Sequence, residues 1–168
     1  LRAGSLNTKL LQEAGRLCPA GVELIEGSIR GIPLYDGDVE RDQGIPSAVE
    51  TLKDQVAGSD GLLLVSPEYN NSIPGVFKNA IDWMSRPGSD IERVFGGRPT
   101  AVIGVSGGRF GAAMAQAAWL PVLRLLKTDP WFGGRFLLGG GGTAFDDQGR
   151  LTDPETERML TEFMAGFA

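Results

Sequence analysis

The chain has 168 residues, enough for one domain with a sizeable core, and its 42% apolar and 22% charged residues match an ordinary soluble globular protein. A net charge of −5, from 16 basic and 21 acidic residues, argues against non-specific nucleic-acid binding, which needs a basic footprint. No run approaches the ~20 apolar residues of a membrane span, and no signal peptide is visible.

Histidine is absent. This removes His-based catalytic triads and the commonest metal ligand, so any acid or base must be Asp, Glu, Tyr or Lys, or the chemistry belongs to a cofactor. The one cysteine, Cys18, permits no internal disulfide and fits a reducing cytoplasm. It reads as a small hydrophobe at a helix end, with a redox role as the alternative.

Leu1 to Thr8 is small and polar, and feeds a helical pattern at Leu6, Leu10, Leu11, Ala14 and Leu17, with Ser5 and Asn7 as cap residues. Free N–H groups, the helix dipole and Arg2 make this a natural anion site; an ordinary capped helix reads equally well. Pro19-Ala20-Gly21 breaks the helix, and Val22 to Ile25 alternates as a short edge strand. Gly31 to Asp38 is a loop whose acidic tail, Asp36 to Asp42, reads as a solvated face rather than a calcium loop. Ile45 to Val56 is a second helix, started by Pro46, with Val49, Leu52 and Val56 on one face.

Leu62 to Val65 lacks alternation, as in a parallel strand buried on both faces. The loop Ser66 to Ser72 follows. Ile73, Phe77, Ala80, Ile81 and Met84 then recur at helical spacing until Pro87-Gly88-Ser89. Thr100 to Val105 is another buried strand. It runs into Ser106-Gly107-Gly108-Arg109-Phe110-Gly111 and a helix from Ala112 to about Leu126, which Pro121 interrupts. The glycines do not keep G-x-G-x-x-G spacing, so a tight turn with close backbone approach is the reading. Trp131 to Leu138 is a strand interrupted by Gly133-Gly134. Gly139 to Gly142 is a flexible run. Asp153 caps the last helix, with Pro154 in its first turn and Met159, Phe163 and Phe167 as its buried stripe.

Strands alternate with helices without repeat or linker, so residues 1–168 read as a single α/β domain. The flavodoxin-like three-layer sandwich, with a five-stranded parallel sheet in order 2-1-3-4-5, is the natural choice. Four strands are found and the chain opens at the loop that should follow the first. A central strand before Leu1 is therefore expected, since its absence would expose two inner edges.

Three segments together resemble the NADPH-dependent FMN reductase family, which includes quinone and chromate reductases. Leu1-Arg2-Ala3-Gly4-Ser5-Leu6-Asn7 matches the tail of its G-S-L-R-x-x-S-x-N loop. Pro67-Glu68-Tyr69-Asn70-Asn71-Ser72-Ile73-Pro74-Gly75, followed by Lys78-Asn79-Ala80-Ile81-Asp82-Trp83, matches its P-E-Y-N-x-S-x-P-G…K-N-A-I-D-W signature. Ser106 to Gly111 and Ala115-Gln116 resemble its third loop and the helix after it.

The resemblance implies FMN as cofactor and NADPH (or NADH) as hydride source. Arg2, Ser5 and Asn7 would bind the phosphate. Pro67, Glu68, Tyr69 and Asn70 would line the isoalloxazine, largely through backbone groups, and Ser106 and Gly108 would border its other side. No catalytic side chain and no metal are implied, because the flavin carries both half-reactions. The acceptor would be a quinone, free flavin or another small electrophile. Each residue also has a plainer reading: Tyr69 as a surface aromatic, and Glu68 as a solvated carboxylate or the partner of a base on another subunit. Lys78, Asn79 and Asp82 read as helix and subunit packing. Arg86 and Arg109 are candidates, on position, for a 2′-phosphate contact. A cytoplasmic homodimer or homotetramer is expected, using the apolar surface of the helices ending at Trp83 and running through Trp119. Two other readings compete: a flavodoxin-type electron carrier, and a reductase that supplies reduced FMN to a partner monooxygenase.

Overall fold

A computed structural model describes residues 1–168. Seven helices and four short strands alternate: α1 (Leu6–Arg16), α2 (Gly37–Gln43), α3 (Ser47–Ala57), β1 (Leu62–Val65), α4 (Gly75–Met84), α5 (Ile91–Val94), β2 (Pro99–Val105), α6 (Ala113–Leu125), β3 (Asp129–Pro130), β4 (Leu137–Leu138) and α7 (Pro154–Phe167). All pairing is parallel. β2 is the centre, with β1 on one side and both β3 and β4 on the other. β3 joins the start of β2 (Pro99 opposite Asp129) and β4 its end (Val105 opposite Leu138). Of the strand expected over Trp131 to Leu138, only Leu137–Leu138 pairs with β2, and the other short pairing falls just before it, at Asp129–Pro130. Between them the chain folds over Trp131, whose ring lies where a Cβ on either glycine would stand, 2.7 or 2.8 Å away.

The alternation along the strands sorts the core into two layers. Ala101, Ile103 and Val105 face α1 and α7, packing with Leu10, Ala14, Phe136, Leu160, Phe163 and Met164. Leu64 faces the other way, toward Val49, Leu52, Val56, Trp83, Trp119 and Leu123 of α3, α4 and α6. The result is a three-layer α/β sandwich.

Several elements depart from expectation. Val22 to Ile25 is extended but pairs with no strand. The outer edge of β1 is open, and β1 is mostly half-buried, with only Leu64 fully inside. The acidic tail forms the helix α2, because Asp36 accepts the Asp38 N–H as its cap; it is solvated, with no buried residue. The α7 stripe is Leu160, Phe163 and Met164, while Met159 lies to one side, about a quarter-turn away on a 3.6-residue helix.

Two charged side chains occupy stripe positions and are buried. Lys53 on α3 is 0% exposed; its Nζ meets Asp90 Oδ2 at 2.7 Å, Glu50 Oε1 at 3.1 Å and the Arg86 carbonyl at 2.9 Å. Glu13 on α1 is 1% exposed and receives Arg16 through two bonds (2.8 and 2.9 Å), Arg150 (2.9 Å) and the Leu151 N–H (3.1 Å). This fixes the turn between Phe145 and Leu151 against α1. The Arg16 guanidinium outweighs burial and, with Arg150 and the Leu151 N–H, holds the Glu13 carboxyl at about 2.

Candidate functional site

Three loops leave the carboxyl end of the sheet, where ligands bind in open α/β folds. The first enters α1. Gly4 is left-handed (φ +68°), Arg2 Nη1 donates to the Gly4 carbonyl at 3.0 Å, and the Ser5 hydroxyl caps the Thr8 N–H at 3.3 Å. The N–H groups of Leu6 and Asn7 find no acceptor. They point out of a helix start beside an exposed guanidinium.

The Asn7 side chain turns away from that opening. Its Nδ2 donates to the Val105 carbonyl (2.8 Å) and its Oδ1 accepts the Val105 N–H (3.0 Å). Asn7 therefore fastens α1 to the end of β2 rather than presenting its amide to the opening.

The second loop is a hairpin turn. Tyr69 and Ser72 exchange both backbone bonds (3.1 and 3.0 Å), and Asn70 (φ +50°) and Asn71 (φ +61°) occupy its two left-handed positions, a type I′ turn. Asparagine tolerates this backbone better than most residues. Pro67 is half-buried, and Tyr69 and Asn70 project into solvent. Glu68 is neither loosely solvated nor paired with a base. Its Oε2 accepts the N–H of Met114 (2.7 Å) and of Ala115 (3.1 Å), capping the first turn of α6.

The third loop closes on itself. Ser106 Oγ donates to the Gly111 carbonyl at 2.6 Å. Gly139 to Gly142, expected to be flexible, is instead fixed against it: Gly140 N–H bonds the Gly108 carbonyl (3.1 Å) and Gly141 N–H the Ser106 carbonyl (3.0 Å). Glycine is required there, since a Cβ on Gly141 would stand 2.7 Å from Val105 Cγ2 and 2.8 Å from Leu6 Cδ1. The N–H groups of Gly107, Gly108 and Arg109 are left without partners.

The loops thus form a linked set. Asn7 ties the first to β2, Glu68 ties the second to the third, and Gly141 touches both the first and third. Arg2 lies outside this bracing, exposed at the rim.

A second layer lies behind the loops, where Asn79 serves packing, as its place on the helix suggests, and the segment it holds has no local sign in the sequence. Asn79 and Trp83, one helical turn apart on α4, both donate to the Pro33 carbonyl (2.8 and 2.9 Å), and Asn79 Oδ1 accepts the Tyr35 N–H (2.8 Å). They hold the Pro33–Tyr35 segment against α4, and the Tyr35 ring meets Trp83 edge-on at 4.9 Å. Trp83 and Trp119 are fully buried, so neither ring is available to a subunit contact. The i, i+4 spacing of Asn79 and Trp83 was the available signal for their shared contact. Arg86 is committed to Glu40 (2.9 Å), which also accepts the Tyr35 hydroxyl (2.8 Å). Arg86 holds the Glu40 carboxyl below its usual range, and Glu40 pushes the Tyr35 phenol up. Gln116 donates to the Phe136 carbonyl at 2.8 Å.

FMN fits this donor set. A dianionic phosphate would find unpaired N–H groups at a helix start with Arg2 beside them. A flat ring would find two braced loops that offer N–H groups and few competing side chains. The architecture and site define a flavodoxin-like α/β protein built around an anionic cofactor.

The profile of the NADPH-dependent FMN reductase family matches residues 1–142. An NAD(P)H-dependent FMN reductase of Pseudomonas aeruginosa is 43% identical over 96% of this chain and 85% of its own length. A 2-hydroxy-1,4-benzoquinone reductase of Burkholderia is 36% identical over 100% of this chain and 90% of its own. The solved structure of the flavoenzyme NAD(P)H:(acceptor) oxidoreductase from Paracoccus denitrificans superposes with a TM-score of 0.88 at 36% identity, over 99% of this chain and 90% of that one. The chain belongs to the NADPH-dependent FMN reductase family.

Proposed function

We propose that residues 1–168 act as one FMN-binding domain, with the phosphate at Arg2, Ser5 and the first turn of α1 and the ring between the 67–72 and 106–109 loops. The chain is an FMN-dependent NAD(P)H oxidoreductase with a quinone or flavin as acceptor. FMN held there would supply the hydride-transfer chemistry between nicotinamide and acceptor.

The chain's own work is placement. Unpaired N–H groups at Leu6 and Asn7 favour the phosphate dianion. Those of Glu68, Asn70, Gly107 and Gly108 favour negative charge at the ring edge. Arg109, whose guanidinium has no protein partner, is the free candidate for a 2′-phosphate, since Arg86 is held by Glu40. Exposed Tyr69 (55%) and Phe110 (80%) flank the ring position and suit a planar acceptor. The observation that carries this reading is the set of cross-braced loops at the carboxyl end of the sheet.

No helix is long and apolar enough to cross a membrane. The single cysteine and the nicotinamide requirement support a cytoplasmic setting. A homodimer or homotetramer is favoured by an open apolar groove of about 310 Å³ between α4 and α6, lined by Ile81, Pro121, Val122 and Leu125. Light scattering at working concentration tests that assembly.

Steady-state oxidation of NADPH and of NADH, with and without added FMN and across a quinone panel, tests the function. FMN-dependent turnover with quinone is the expected result. No turnover with any acceptor, together with a long-lived one-electron form on titration, would favour an electron carrier instead.

A further inference from the structure

We propose that the Glu68 side chain is a positioning residue for the flavin ring. Its carboxylate sets the spacing between the two loops that border the ring. The inference rests on FMN occupying this site and assigns a task to a side chain otherwise counted only through its backbone.

Glu68 sits at the hinge between Pro67 and the Tyr69–Ser72 turn, so wherever its carboxylate is anchored, the turn follows. The anchor is the first turn of α6, through Met114 N–H at 2.7 Å and Ala115 N–H at 3.1 Å. α6 begins directly after the third loop, and Ser106 to Gly111 closes that loop through Ser106 Oγ. One carboxylate therefore joins both walls. No Lys or Arg pairs with it, so its contacts are backbone groups whose positions are fixed by the fold. The contacts lie at the N-terminal end of a helix of 13 residues, where one carboxylate oxygen receives two N–H groups of its first turn. No other side-chain hydrogen bond crosses from the 67–72 loop to the 106–112 loop or α6. Without the clasp no side-chain hydrogen bond joins the two walls, and what remains is the β1–β2 ladder, the Ser66 N–H bond to the Ile103 carbonyl and the packing of Phe77 on Trp119.

The geometry also distinguishes variants. Glu68→Gln keeps the length and an acceptor oxygen, and because both N–H groups meet a single oxygen, the clasp is retained. Glu68→Asp keeps the charge but loses a methylene of reach. Glu68→Ala removes the clasp.

The test uses the full chain, first freed of flavin. FMN affinity is measured by flavin fluorescence, the visible circular dichroism of the flavin is recorded at saturating FMN, and Tm is measured without FMN. The expected result is Kd for FMN raised ~10-fold or more in the Ala and Asp variants, and by no more than about 3-fold in the Gln variant. The Ala and Asp variants also show a changed flavin dichroism that saturation does not restore, whereas Gln resembles the unaltered protein. Unchanged Kd and dichroism in the Ala and Asp variants would overturn the proposal. So would a lowered Tm with unaltered dichroism, since that describes a brace of the fold alone. If Ala fails to fold, Asp against Gln decides in the same way. Failure of the unaltered chain to bind FMN would remove both this inference and the functional reading, whereas FMN binding with wild-type behaviour in Ala and Asp removes this inference only.

Discussion

Glu13 and Glu68 each accept N–H groups from a distant segment, yet their surroundings differ in kind. Glu13 is buried between α1 and the 145–151 turn, with two guanidinium groups on it. Glu68 is half-buried at the loop edge of the sheet, with only backbone donors. A buried carboxylate that gathers two cations and a backbone N–H is a lock, because removing it releases all three contacts at once. A carboxylate holding two loops together at a binding edge contributes less to the fold and more to the shape of what the loops enclose. The same contrast runs through the molecule. Lys53 and Glu13 spend ionic groups on the scaffold, while Asn7, Glu68 and Ser106 spend polar side chains on bracing and leave N–H groups for the ligand.

The largest expected effect is at the lock. Glu13→Ala should cost about 2–3 kcal/mol in denaturant unfolding, chiefly by leaving the Leu151 N–H without its acceptor and unfastening the 145–151 turn, since Arg16 keeps Glu157 and Arg150 reaches solvent. The folded Glu13 carboxyl sits at about 2 against an ordinary 4.5, so its stabilisation is complete above about pH 4.5 and is lost as pH falls toward 2. Denaturant midpoints measured across that window should fall steeply in the unaltered chain and more gently in the Ala variant. A parallel fall in both would show that Glu13 is not the group responsible.

Next is Gly104, where a Cβ would collide with the Ser66 carbonyl and stand 2.7 Å from Ala112 Cβ. Gly104→Ala should cost about 1–3 kcal/mol by overpacking and also disturb both ring-side loops, seen as lowered Tm and weakened FMN binding. Asn7→Ala removes two bonds to Val105 and should cost about 1–2 kcal/mol, with a several-fold loss of FMN affinity as the α1 start loosens. Unaltered FMN affinity would confine Asn7 to the scaffold. The smallest effect is at Asp153, which caps Glu155 and Thr156 at the far end of the chain. Asp153→Ala should lower Tm slightly in thermal unfolding and leave FMN affinity unchanged.

The long helices and β2 were legible because their apolar periodicity and caps agree: Ser5, Pro46, Pro74 and Asp153 all stand at helix starts. The loop of the site was legible as a motif, but the direction of its side chains was not. Asn7 reads as a cap or ligand until β2 is seen to pass beside it, a contact 98 positions away. Glu68 reads as solvated until α6 starts 45 residues later within its reach. Such contacts are tertiary and leave no local pattern. Glu13 and Lys53 are different. They stand on the apolar stripes Leu10–Ala14 and Val49–Leu52–Val56, and a charge on a stripe was itself the available sign of burial. Val22 to Ile25 alternates like a strand, but a strand needs a neighbour, which local alternation does not supply.

The central claim is that the loops at the carboxyl end of the sheet hold FMN for reduction by a nicotinamide. Its most direct measurement is anaerobic addition of NADPH, or of NADH, to the flavin-loaded chain while following the visible flavin absorbance. Stoichiometric bleaching, reversed on adding a quinone, is the predicted result. Failure to retain or bind FMN, or a visible band untouched by either nicotinamide, would contradict the account.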